Sequence, residues 1–177
     1  MSAELDRLLE PRALAARGWR LRAGTPLRDW PRLAALDPAG AEAGTMVDVD
    51  VALREHDSGW PVLEGELSVA LAEVCQRCLE PMQLALRARP ALVFGAGEDA
   101  AAAAAAAGFE PCELEPGTTL RQLLEDEMLL SIPVSPVHER SEECGPLAGK
   151  LAELEPARDE DKRSSPFAAL AQLKRKN

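Results

Sequence analysis

From Met46 the chain alternates strictly, with Val47, Val49, Val51 and Leu53 set against Asp48, Asp50, Ala52 and Arg54. A period of two sends the two sets to opposite sides of a β-strand, so this stretch is held to a strand with one buried and one wet face. His56-Asp57-Ser58-Gly59 supplies a turn, in which His56 reads as an exposed residue. The pattern then resumes, with Leu63, Leu67, Val69 and Leu71 on one face and Glu64, Glu66 and Ser68 on the other, and ends at Val74-Cys75. A third run, Met82 to Arg87, follows Pro81 and continues less regularly to Phe94. Three such runs joined by short turns predict an antiparallel β-meander packed by helices, an α+β fold.

The helices that should cover this sheet are legible on either side of it. Pro11 to Arg17 is alanine-rich, opens with proline and stops at Gly18. Trp19-Arg20-Leu21-Arg22 alternates like a short strand, and Thr25-Pro26 reads as the start of a helix reaching about Leu36, bent near Pro31. Thr119 and Gln122 stand at capping-box spacing before an apolar stripe of Leu120, Leu123, Leu124, Met128 and Leu130, closed by Pro133. Glu125-Asp126-Glu127 on the same helix reads as a solvated face. The eight alanines between Glu98 and Gly108 lack an apolar stripe, so this insertion reads as a frayed helix or spacer. Together residues 1–144 make one expected domain, followed by a polar linker over 145–164. Ser165-Pro166 then opens a short amphipathic helix with Phe167, Leu170 and Leu173 on one face and a basic finish, Lys174-Arg175-Lys176. It suits a docking peptide or a helix that packs back on its own domain.

Between the second and third strands stands Cys75-Gln76-Arg77-Cys78. This spacing lets two sulfurs share a metal, form a redox pair or do nothing together. A redox pair is favoured at a helix start, whereas Leu79-Glu80-Pro81 leads into a strand. His138 and Cys144 are six residues apart in a later loop, and with Cys75 and Cys78 they would complete a closed Cys₃His structural zinc site. Reduced, partly buried thiols and a surface histidine explain the same residues without a metal. Cys112, in an acidic loop, is the weakest candidate ligand.

Charge narrows the partner classes. The 177 residues carry a net charge of −10, and twenty acidic residues against six basic ones fall within 41–149. That argues against a protein that coats nucleic acid with its whole surface, and an acidic middle suits solubility or a basic protein partner better than it suits RNA. Between Pro11 and Arg32 there are six arginines and one aspartate. Arg17, Arg20, Arg22 and Arg28, interleaved with Trp19 and Trp30, could form a single-stranded RNA surface, or the tryptophans could be core and the arginines solvation. The beginning of the chain lacks a basic stretch followed by an apolar run, and no segment approaches the ~20 apolar residues that span a bilayer. A cytoplasmic protein with no membrane or small-molecule partner is expected.

Taken together, Cys75-Gln76-Arg77-Cys78 after a strand, the run from Glu125 to His138, the later Cys144 and the closing Pro166-Phe167-Ala168-Ala169-Leu170-Ala171-Gln172-Leu173-Lys174 resemble the bacterial YceD family, the large ribosomal RNA subunit accumulation proteins. The resemblance implies a non-catalytic role in the synthesis, processing or stability of 23S ribosomal RNA, with a 23S precursor or a large-subunit ribosomal protein as partner. In one version the basic N-terminal stretch and the tail touch RNA. In the other the acidic middle escorts a basic ribosomal protein. An oxidoreductase or zinc-dependent enzyme built on Cys75 and Cys78 is the reading from a different class, and no phosphate-cradling loop or nucleophile motif accompanies it.

Overall fold

The computed structural model describes residues 2–147 and 150. The chain divides into two units, Met1–His138 and Glu139–Asn177. Most of the expected linker and the whole expected C-terminal helix, with Phe167, Leu170, Leu173, Lys174, Arg175 and Lys176, lie outside the described residues.

In the first unit the described strands are β1 (Arg20–Pro26), β2 (Met46–Glu55), β3 (Pro61–Val74), β4 (Pro81–Ala88), β5 (Ala91–Phe94) and β6 (Glu110–Cys112). The expected meander is β2–β3–β4, antiparallel throughout. At fourteen residues β3 is long enough to be shared. One of its edges takes β2 from Pro61 to Ser68, and the other takes β5 at Val62–Glu64 and β4 at Leu67–Val74. The less regular end of the third run is thus a separate strand. The parallel pairing of β5 with β6 has no counterpart in the alternation pattern, because a three-residue strand carries almost no period.

The described helices are α1 (Ser2–Leu5), α2 (Pro11–Ala15), α3 (Pro31–Leu36), α4 (Pro38–Ala43), α5 (Gly97–Ala107) and α6 (Leu120–Leu130). The capping box at Thr119 and Gln122 is formed, and Leu120, Leu123, Leu124 and Met128 of α6 bury themselves in the main core with Val47, Val49, Val51, Leu63 and Leu67 of the sheet. Two residues beyond Met128, Leu130 has turned about 200° round the helix, and it is exposed instead of completing the stripe.

Thr25-Pro26 does not open a helix. Thr25 is buried in β1, where its hydroxyl accepts a 2.9 Å hydrogen bond from the indole N–H of the fully buried Trp30. The chain then passes through a single 3-10 turn, Leu27–Asp29, and helix begins only at Pro31. Nor is Glu125 solvated. It is buried, and its carboxylate accepts from the backbone N–H of Arg32 at 2.8 Å and of Leu33 at 3.1 Å, and from the Arg32 guanidinium at 3.0 Å. Trp30, at the N-cap of α3, offers no side-chain acceptor, so a glutamate from another helix caps these orphan donors. Asp37 does two jobs of the same kind: it accepts from Gly40 N–H at 2.8 Å, capping α4, and from Ala72 N–H of β3 at 2.9 Å, past the last residue that β2 pairs.

The alanine run is not a free spacer. Ala100 and Ala104, one turn apart, are buried, and Ala104 packs with Val62, Val93, Trp60 and Phe109. A methyl-only face lets the helix axis come close to the sheet without any bulky stripe. Gly95 allows the same closeness at the Trp60 ring, where a Cβ would sit 2.4 Å from the indole. Ala104→Leu is expected to overpack this contact and destabilise the protein by about 1–3 kcal/mol in urea denaturation. The same change at exposed Ala102 should be near neutral, and equal effects at both sites would count against docking. In the second unit a kinked 3-10 segment, Ser141–Leu147, buries Cys144, and Arg140 just before it pairs with Glu143.

Candidate metal centre

The β3–β4 hairpin turns through Cys75 to Glu80. Two backbone hydrogen bonds close it, Leu79 N–H to the Cys75 carbonyl at 2.8 Å and Cys75 N–H to the Glu80 carbonyl at 3.0 Å. Both sulfurs are thereby turned inward, and Cys75 and Cys78 are buried. After α6, Pro133 and Pro136 stiffen a loop that returns to this tip, where Gln76 N–H donates to the Pro136 carbonyl at 2.8 Å. That bond delivers His138. The ligand atoms of Cys75, Cys78 and His138 lie within 4.8 Å of one another.

One distance fits a shared metal as well as a direct hydrogen bond. Cys78 Sγ and His138 Nδ1 are 3.5 Å apart. A thiolate and an imidazole bound tetrahedrally to one zinc, with bonds of about 2.3 and 2.05 Å, would be about 3.6 Å apart. The donor set is two soft thiols and an imidazole, which suits zinc and disfavours calcium or magnesium. No helix N-terminus serves the turn. Burial raises the Cys75 thiol pKa, but N–H groups of the His138, Cys78 and Arg77 backbone, with the Cys78 side chain, outweigh it and pull the thiol down to about 6. Such N–H···S donors are what hold a metal-bound thiolate in place. A low thiol pKa also suits redox chemistry, but reactive cysteines sit partly exposed, and Cys75 is wholly buried.

Of the other residues expected at a site, Cys112 ends β6, half-buried, where burial and then the Glu127 carboxylate push its thiol up. It is not among the clustered donors. Arg20 grips Asp50 with two guanidinium nitrogens at 2.8–3.0 Å, and Arg22 stands 3.8 Å from the same carboxylate. Arg17 and Arg28 are exposed, and Trp19 is half-buried against the main core. His56, in its turn, bonds Ser58.

A mixed sheet with a cysteine–histidine cluster closed inside a hairpin tip defines a class of α+β protein. Within it, residues 63–174 match the family model described as large ribosomal RNA subunit accumulation protein YceD, and the chain belongs to that family. The family's name implies a role in accumulation of large-subunit ribosomal RNA. No solved structure matches the chain. Among the described residues no helix is long and apolar enough to cross a membrane.

Proposed function

We propose that this chain is a non-catalytic, cytoplasmic assembly factor of the large ribosomal subunit, acting in the synthesis, processing or stability of 23S ribosomal RNA, with a structural zinc bracing its β3–β4 tip. The observation that carries the metal is the convergence of Cys75, Cys78 and His138, whose ligand atoms lie within 4.8 Å of one another. Three donors leave one position of a closed site to fill, and Cys144, six residues after His138, is the remaining thiol its loop can supply. The role in RNA accumulation is supported by membership of the family. Arg17, Trp19, Arg20, Arg22 and Arg28, with the C-terminal Phe167, Leu170, Leu173, Lys174, Arg175 and Lys176, are the proposed contacts to RNA or to a partner. The acidic middle of the chain supports a second reading, escort of a basic large-subunit protein.

Crosslinking in cells, with sequencing of bound RNA and identification of bound proteins, tests this. Fragments of 23S precursor whose recovery fades as wash salt rises support RNA contact through the basic ends. A basic ribosomal protein recovered without RNA supports escort, and recovery of neither overturns both.

A further inference from the structure

The metal site makes no use of an unusual leucine beside it. Leu79 has φ of 62°, and among the described residues no other non-glycine has a positive φ. This is the left-handed region, which a leucine side chain disfavours. The turn's two hydrogen bonds hold it there, and the residue is 73% exposed. Strain spent on keeping an apolar side chain in water points to a role outside the fold.

Leu79 is not isolated. Val74 precedes Cys75, and Val137 precedes His138; both are exposed, so all three aliphatics adjoin residues of one cluster. Val134 is fully exposed on the loop that Pro136 anchors, and Leu130 ends the helix before it. Five of the nine exposed large hydrophobics among the described residues therefore lie on the two segments that meet at this tip. The prolines and the turn fix them in advance, which lowers the entropy lost on binding.

We propose that this apolar knuckle docks a basic protein segment, one that offers an aliphatic or aromatic side chain between lysines or arginines. Glu73 and Glu80 flank the aliphatics with only Arg77 between them, on a chain of net charge −10, so the rim attracts cations. RNA is the poorer occupant, since aliphatic side chains do not stack bases and Arg77 is the single cation between Glu73 and Pro81. A second copy of the chain would bring like charge to like. The inference rests on the assembly-factor reading for its source of partner, the large-subunit proteins.

The test offers RNA-free proteins extracted from large ribosomal subunits to the immobilised full-length chain, with a benzophenone amino acid replacing Val134 to mark the contact. Crosslinked peptides should come from basic proteins and contain an apolar residue flanked by Lys or Arg. Leu79→Asn combined with Val134→Ser should cut retention about tenfold or more. Asparagine tolerates the left-handed conformation, so Tm should hold or rise, whereas a merely structural leucine would lower it. Unchanged retention, crosslinks confined to a second copy of the chain, or retention that requires added RNA would overturn the proposal. In cells, loss of 23S on deletion but not with the double variant overturns the docking surface alone. Unchanged 23S on deletion overturns the assembly-factor reading itself.

Discussion

Cys75→Ser is expected to empty the protein of metal and to lower its Tm by on the order of 10 °C, because binding energy at a structural site is folding energy. Metal analysis alongside thermal melting checks this, with Cys112→Ser as the control that should change neither. The same variant should remove a pH dependence from the chelator-treated protein. The Cys75 thiol, ordinarily near 9.0, is held at about 6 in the fold, so the folded chain sheds this proton before the unfolded one does. Below about pH 6 both forms are protonated and the difference contributes nothing. From there to about pH 9 each rise in pH favours the folded form, and above that the contribution is complete. Cys75→Ser should lack this rise. A variant that stays metal-replete with an unshifted melt would exclude Cys75 as a ligand.

Glu125→Ala should destabilise the protein by about 2–3 kcal/mol in urea denaturation. It strips a cap from Arg32 N–H and Leu33 N–H and a partner from the Arg32 guanidinium at once. The figure is kept below the full penalty for a broken buried pair because Arg32 is itself half-exposed and water can take up its charge. Glu125→Gln retains a carbonyl oxygen for the backbone donors and should recover part of the loss. Asp126→Asn, which removes the exposed partner of the same arginine, should cost under about 1 kcal/mol. Equal losses for Glu125→Ala and Asp126→Asn would refute the capping role.

These two residues show what could and could not be read from the chain. The strands of the meander were legible because alternation is a property of consecutive residues, and the cluster of Cys75, Cys78 and His138 because few side chains are thiols or imidazoles. Glu125 was not, since its partners are more than ninety positions away and nothing local separates a capping glutamate from a solvated one. Thr25-Pro26 misled for a related reason: a threonine before proline has the chemistry of a helix start, and only the indole of Trp30 gives its hydroxyl another use. In the alanine run, a docking face of single methyls leaves no contrast in hydropathy to detect. Leu79 is ordinary as a residue type, and its significance lies in a backbone angle that a sequence does not display.

The Asp37 carboxylate has a bearing on how this protein behaves among other chains. Where β2 stops pairing, the far half of β3 keeps an edge to which a foreign strand could add, and edges of that kind seed aggregation. A charge bonded to Ala72 N–H occupies a rung of that ladder and sets an anion against any incoming carbonyl. The residue that caps α4 is thereby expected also to guard this edge against a foreign strand, a few residues from the proposed docking tip.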